Sequence, residues 1–192
     1  MPVYEDERAK LHPNGHAVYG ADNYTIPSDL DKWGIENGNA NYLYRFPHHN
    51  EYEVCSDLWI SEDGLKIFTK CGNVFRSSDD ENEDMLYENN LNGLSRIESL
   101  AHSSAADKVI AIPSNWMPQK YLDTQIQLYN YSPLTLERTI PLPKFQLNQN
   151  EYFSHGRFVF INSPGRTYYV VVQADESAGL YHDFGVVSDD IE

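Results

Sequence analysis

In this 192-residue chain, a histidine pair with nearby glutamates is the first group of residues that could bind a metal ion. His48 and His49 precede Glu51 and Glu53, and imidazole and carboxylate groups are suitable zinc ligands. Adjacent side chains on a strand point to opposite faces, however, so both imidazoles do not easily reach one ion. We therefore expect no transition-metal site at this pair.

An acidic run offers oxygen ligands instead. Calcium takes six to eight oxygens, and it is the one cofactor that the sequence suggests. The run lacks the spaced Asp-x-Asp-x-Asp-Gly pattern of calcium loops, which favours the alternative of a solvated loop. The five candidate ligands are Asp79, Asp80, Glu81, Glu83 and Asp84.

The two cysteines of the chain flank a predicted hairpin. If Glu62-Asp63-Gly64 forms a three-residue loop, Trp59 faces Ile67, and Cys55 faces Cys71 on the same register. Directly opposed residues have Cβ separations close to those of a disulfide. This register predicts a Cys55–Cys71 bridge, with two buried free thiols as the alternative. A bridged pair favours a secreted or periplasmic location.

Motifs for covalent catalysis and phosphate binding are missing from the sequence. There is no Gly-x-Ser-x-Gly, no Gly-x-x-x-x-Gly-Lys and no Gly-x-Gly-x-x-Gly. A pair of glycosidic carboxylates is recognised by its separation, which a sequence does not give. The sequence thus leans towards binding and away from catalysis.

The net charge limits the classes of partner. Fourteen basic residues against 29 acidic ones leave a formal charge of −15. Such a surface repels phosphate backbones and anionic lipids, so we expect neither nucleic acid nor membrane as a partner. No apolar run approaches membrane-spanning length, and the N-terminal residues are polar, unlike a signal peptide.

The elements that must position these residues are short strands. Apolar and β-branched runs alternate with turns, and helical periodicity is nearly absent. Four turn-and-strand segments are similar to one another: HPNGHAVYG, SEDGLKIFT, SSAADKVIA and SPGRTYYVV. This pattern resembles the repeats of WD40-like and YVTN-type β-propellers, in which each blade is a four-stranded antiparallel sheet. The resemblance covers nearly the whole chain, although Ala106 replaces a turn glycine and no Trp-Asp dipeptide is present.

The resemblance implies an all-β fold with about four blades in a single propeller-like domain spanning residues 1–192. The expected blades are about 9–46, 53–88, 95–142 and 156–187, and residues 1–8 could supply a closing strand. Either the four blades close into a ring or the chain is half of a larger propeller. The alternative fold is a β-sandwich.

In a propeller, the connections between strands alternate between two ends of the blades. One end receives the longer connections 21–28, 46–52, 113–124, 143–153 and 174–179, and long loops on a rigid scaffold commonly bind ligands. The alternative is that the aromatic residues of these loops cover the core. The candidate ligand-binding residues are Tyr24, His48, His49, Tyr52, Trp116, Tyr121, Tyr152 and Asp175.

These expectations define the functional hypothesis. The chain is predicted to be a non-catalytic binding or scaffold module that recognises a protein or a glycan through its long-loop end. One alternative is a polysaccharide hydrolase or lyase on a propeller scaffold. The other is a half-propeller that assembles with itself or a partner chain through its open blade edges.

Overall fold

The computed structural model describes residues 8–22, 28–114, 121–179 and 183–191. In these residues the regular secondary structure is almost entirely β, with seventeen strands and two single-turn 3-10 helices. The strands form antiparallel sheets whose order follows the order of the chain. This arrangement confirms the predicted all-β, propeller-like fold class. No helix in the described part of the chain is long and apolar enough to span a membrane.

The chain divides into two compact units, Met1–Leu91 and Asn92–Glu192. The first unit contains two four-stranded sheets, which we call sheet 1 and sheet 2. Sheet 1 consists of β1 (Arg8–Leu11), β2 (Ala17–Ala21), β3 (Leu30–Glu36) and β4 (Asn39–Arg45). Sheet 2 consists of β5 (Leu58–Ile60), β6 (Lys66–Thr69), β7 (Asn73–Arg76) and β8 (Tyr87–Asn90).

Sheets 1 and 2 pack face to face through an apolar core. Tyr19 and Leu30 from sheet 1 lie against Leu58, Ile67 and Phe75 from sheet 2, and all five are essentially inaccessible to solvent. The alternation of strand side chains explains which residues of each strand are buried, because residues two apart along a strand point to the same face.

A buried polar network also links the two sheets of this unit. Asp84 accepts hydrogen bonds from Tyr19 (2.9 Å), from Tyr44 (3.0 Å) and from the Lys32 ammonium group (3.0 Å). The Ser78 amide donates to the same carboxylate at 2.8 Å, so Asp84 has several partners. Burial raises the pKa of Tyr19, and the neighbouring Asp84 carboxylate adds to this effect.

The predicted hairpin of sheet 2 forms, but its register was wrong by one residue. Trp59 pairs with Phe68 and not with Ile67, because the loop between β5 and β6 has four residues and not three. Gly64 adopts φ +73°, as the turn requires.

The predicted disulfide is present in spite of this shift. Cys55 and Cys71 are bonded, with their Cα atoms 5.4 Å apart. Cys55 and Ser56 both have φ of 62°, and this left-handed segment turns the chain before β5 begins. The bridge therefore depends on a local bend and not on the continuous ladder that we predicted.

The described residues of the second unit form one four-stranded sheet, one three-stranded sheet and a hairpin. Sheet 3 comprises β9 (Ile97–Ser103), β10 (Lys108–Pro113), β11 (Gln125–Asn130) and β12 (Thr135–Pro141). The hairpin comprises β13 (Phe145–Leu147) and β14 (Asn150–Tyr152), in a stretch that we had predicted to be a loop. Sheet 4 comprises β15 (Ser154–Ile161), β16 (Thr167–Ala174) and β17 (Phe184–Asp190).

Sheets 3 and 4 also pack face to face. Ile110, Ile126 and Leu128 of sheet 3 lie in one buried cluster with Val170 and Val172 of sheet 4. The sheets approach closely at Gly156, where an added Cβ atom would lie 3.0 Å from the Ile112 side chain. The other side of sheet 4 is exposed to solvent and rich in aromatic residues.

In the described part of the chain, sheets 1 to 4 span residues 8–45, 58–90, 97–141 and 154–190, and sheet 4 has three strands. That residues 1–192 form one propeller domain remains a prediction. The proposed closing strand, residues 1–8, falls almost entirely outside the described residues.

Candidate functional site

The long connections of sheets 3 and 4 bring a histidine and two aspartates together. His155 lies in β15, Asp123 lies in a 3-10 helix at Leu122–Thr124, and Asp175 directly follows β16. The Nδ1 atom of His155 is 2.8 Å from an Asp123 oxygen, and its Nε2 atom is 2.9 Å from an Asp175 oxygen. Ionised carboxylates only accept hydrogen bonds, so the imidazole satisfies both when it donates from both nitrogens.

An arginine completes this cluster. Arg157 donates to the second oxygen of Asp123 at 2.9 Å and to the amide oxygen of Gln173 at 2.8 Å. Asp123 is buried and faces both the Arg157 guanidinium group and the His155 ring, and hydrogen bonds of this kind are how a buried carboxylate is normally accommodated. The Arg157 cation thus offsets part of the negative charge of the two carboxylates.

Asp175 is fixed by its own chain as well as by His155. It caps a second 3-10 helix, Glu176–Ala178, and accepts hydrogen bonds from the amide and hydroxyl groups of Ser177. The Ser177 hydroxyl and then His155 lower the pKa of Asp175 to about 2. The carboxylate consequently remains ionised at neutral pH.

An exposed aromatic pair covers the histidine. Tyr121 is 45% exposed and Phe153 is 42% exposed, and their ring centroids lie 4.9 Å apart. The Tyr121 ring also stacks at 6.0 Å from His155, and the Lys144 ammonium group lies 5.4 Å from the Phe153 centroid. Tyr121 has φ 71°, and its carbonyl accepts a hydrogen bond from the Thr124 hydroxyl. The aromatic pair is therefore supported on the side of His155, and its other side contacts solvent.

The first unit has a related arrangement at the loop end of sheet 1. His49 lies 2.7 Å from an oxygen of the buried Asp29. Arg45 forms two hydrogen bonds of 2.9 Å with Asp31, and these bonds raise the pKa of Arg45. The Arg45 guanidinium group also lies 3.8 Å from Asp29 and 3.9 Å from Asp22. Three buried carboxylates therefore surround one guanidinium group.

Tyr52 packs against the core of the first unit, and the partly exposed His48 lies beside it. Tyr52 stacks on Tyr87 at 4.4 Å, and His48 contacts Phe46 and Tyr52 edge to face. The alternative of core-covering aromatic residues thus describes Tyr52 well. His48 lies 3.1 Å from Glu51, so the two adjacent histidines face different carboxylates.

The other predicted residues are more dispersed. Tyr152 pairs with Phe145 in the β13–β14 hairpin and is partly buried. Tyr24 and Trp116 lie outside the described residues. Tyr121 and Asp175 do come together, through His155.

His155, Asp123, Arg157 and Phe153 are the members of this site that sequence reasoning missed. The two aspartate partners of His155 lie 32 and 20 positions away from it along the chain. Only the fold brings them together, and the spacing gives no local signal.

The acidic loop is not assembled as a calcium site. Asp84 is buried and pairs with Lys32, whereas Glu83 is exposed and pairs with Arg76. In the described residues, the group of three potential ligands that lies together is Glu53, Cys55 and Cys71, and both of its sulfur atoms belong to the disulfide.

The cluster around His155 is suited to hold the Tyr121–Phe153 pair in a fixed position. Both of its carboxylates face His155, and Asp123 also faces Arg157, so each charge already has a protein partner. Such satisfied networks stiffen the segments that they join.

Comparison with known proteins finds fold neighbours but no family. No protein-family model matches the chain, and no curated protein matches it. Among solved structures, U3-55K matches 93% of this chain and 50% of its own, with a TM-score of 0.57 and 13% identity. The RRP9 WD40 repeats match 93% of this chain and 49% of their own, with a TM-score of 0.58 and 13% identity.

Hydrazine synthase from Kuenenia stuttgartiensis has a TM-score of 0.60 at 12% identity, over 97% of this chain and 51% of its own. The chain thus spans about half the length of these neighbours. At such low identity the likeness concerns the fold alone. The resemblance to WD40-like β-propeller repeats, predicted from the turns and strands of the sequence, is confirmed by the structure.

Proposed function

We propose that this protein is a non-catalytic, propeller-like binding module that recognises a protein partner through the long-loop end of its sheets. The observation that carries the proposal is the Tyr121–Phe153 pair, which is exposed on one side and supported on the other by His155. Exposed aromatic side chains with a fixed position bind well, because little conformational entropy is lost on association.

The charge of the chain indicates the chemistry of the partner. With a formal charge of −15, the surface attracts basic groups and repels phosphates and anionic lipids. A partner segment with an aromatic or aliphatic anchor and flanking lysine or arginine residues suits the aromatic pair and the net negative charge of the chain. A glycan that stacks on the same rings is the alternative ligand.

A photo-crosslinking experiment tests this proposal. Incorporation of benzoyl-phenylalanine at Phe153 should capture a protein partner from cell extract, and the same residue placed at the exposed Leu136 on β12 serves as control. The glycan alternative is tested on an array with the unmodified protein. Equal capture at both positions, together with an empty array, would rule out this surface.

A second candidate function is a half-propeller that assembles with itself or with a partner chain. The supporting observation is that the chain spans about half of its structural neighbours. Edge strands such as β4 and β17 would then pair with strands of another chain.

No specific observation favours a polysaccharide hydrolase or lyase. That chemistry needs two carboxylates that face the substrate. Asp123 and Asp175 instead face the same histidine ring. The cellular location also remains a prediction, and the Cys55–Cys71 bridge favours an oxidising compartment.

A further inference from the structure

One side of sheet 4 is apolar, and no element among the described residues covers it. We call it the outer face of sheet 4; the opposite side packs against sheet 3. Strand alternation and the pairing register place its side chains on one surface, with Phe158, Val171 and Val186 aligned across the three strands. The six apolar members of the face are Phe158, Phe160, Tyr169, Val171, Phe184 and Val186.

The exposure of this face is unusual for a sheet that forms part of a core. Phe158 and Phe184 are 57% and 59% exposed, and Val186 is 66% exposed. An aromatic side chain presents on the order of 200 Å², so the face leaves roughly 500 Å² of apolar surface in water. Patches of this size on a soluble protein usually mark an interaction surface.

We propose that the outer face of sheet 4 binds the same face of a second copy of this chain. Two such faces would bury roughly 1,000 Å² of apolar surface, and the polar rim would bring the total into the range of about 1,200 Å² and above that specific interfaces need. A two-fold axis makes the contact self-complementary, since one surface then serves both copies.

The geometry of the face suits this packing. Apolar sheets pack face to face about 10 Å apart, and sheet 4 already packs in this way against sheet 3. A two-fold axis that lies between the two faces and runs across the strands at Val171 brings Val171 close to its counterpart. It also keeps the two Asp190 carboxylates apart, because Asp190 lies at the turn end of β17.

This inference is separate from the loop-end proposal. It rests on the second candidate function, assembly with another chain, but places the contact on the outer face of sheet 4 and not on the strand edges. It differs from edge pairing in a measurable distance. If two β17 strands paired edge to edge, three strand spacings, or about 14 Å, would separate the two β16 strands. Face-to-face packing brings Val171 of the two copies closer than that.

Sedimentation velocity and cross-linking test the proposal. The wild-type chain should sediment as a dimer at concentrations of tens of micromolar. The Phe158→Ser/Phe184→Ser variant should dissociate at least about tenfold more readily. Leu136→Ser, at an exposed apolar position of sheet 3, should leave the dimer unchanged. Because both copies are acidic, added salt should strengthen the dimer. Circular dichroism confirms that each variant is folded.

A short bis-maleimide reagent should join two copies of the Val171→Cys variant and should not join two copies of the matched Leu136→Cys control. A monomer at the highest concentration, or a dimer that Phe158→Ser/Phe184→Ser leaves intact, would overturn the proposal. So would a dimer that Val171→Cys does not cross-link, which is the outcome expected for edge pairing. If Tyr121→Ala/Phe153→Ala loses partner capture but remains a dimer, the result supports the loop-end proposal and shows that the two surfaces are independent.

Discussion

Asp84→Asn is expected to lower the stability of the first unit by about 3 kcal/mol. The Lys32 and Asp84 side chains are 4% and 0% exposed, and the ammonium and carboxylate groups lie 3.0 Å apart. Removal of one member of a buried ion pair costs about 3–5 kcal/mol, because the remaining charge is left uncompensated. Asparagine keeps an oxygen for the Ser78 amide and one tyrosine hydroxyl, which places the expected loss at the lower end.

The measurement is a urea titration that follows tryptophan fluorescence. Trp33 and Trp59 both lie in the first unit, and a Trp116→Phe background removes the third tryptophan of the chain. Asp80→Asn, in the exposed part of the same loop, is the matched control and should change stability by less than about 0.5 kcal/mol.

A double-mutant cycle tests whether the effect arises from the ion pair. Addition of Lys32→Met to Asp84→Asn removes the uncompensated charge, so the double variant should lose at least about 1.5 kcal/mol less than the sum of the two single variants. The reasoning fails if Asp84→Asn costs less than about 1 kcal/mol, or if the two substitutions are additive.

Three further predictions concern the second unit and the disulfide. Ser177→Ala should raise the pKa of Asp175 from about 2 towards 4, as measured by carboxyl NMR titration. In the wild-type chain the hydrogen bond from Ser177 to Asp175 stabilises the fold above about pH 4, and this stabilisation is lost as the pH falls towards 2. An unchanged midpoint would contradict the hydrogen bond. Gly165→Ala should lower the free energy of unfolding by about 2–3 kcal/mol, because φ is +70° and the new Cβ atom would lie 2.8 Å from a backbone nitrogen. Gly179→Ala, with φ +69° and open space around the new Cβ atom, should lower it by about 1 kcal/mol. Equal losses of stability would refute the predicted steric clash at Gly165. Reduction of the disulfide, whose cysteines are 16 residues apart, should lower stability by about 3 kcal/mol, and mass spectrometry without reductant should show the protein two hydrogens lighter than after reduction.

Local signals in the sequence were sufficient for most of the sheet structure. Gly64 and the β-branched and aromatic residues around it specify a hairpin, because only glycine enters its turn conformation without strain and these side chains suit a pleated sheet. The register was missed because the turn has four residues, and the turn residues alone do not distinguish a four-residue loop from a three-residue one.

The site was only partly predictable for a different physical reason. Tyr121 and Asp175 were identified because long loops carry aromatic and polar residues. Their link through His155 depends on contacts between β15, a 3-10 helix and the end of β16, and no local pattern encodes such contacts. Likewise, the exposed face of sheet 4 reads in sequence as ordinary strand alternation, since a strand pattern does not tell which face is covered.

Quantitative partner capture by the Tyr121→Ala/Phe153→Ala variant is the most direct test of the central claim that the aromatic pair at the loop end is a binding surface. Against the wild-type chain and the Leu136→Ala control, the double variant should lose its partner by at least about tenfold while its thermal unfolding remains close to wild type. Equal capture by all three proteins would contradict the claim.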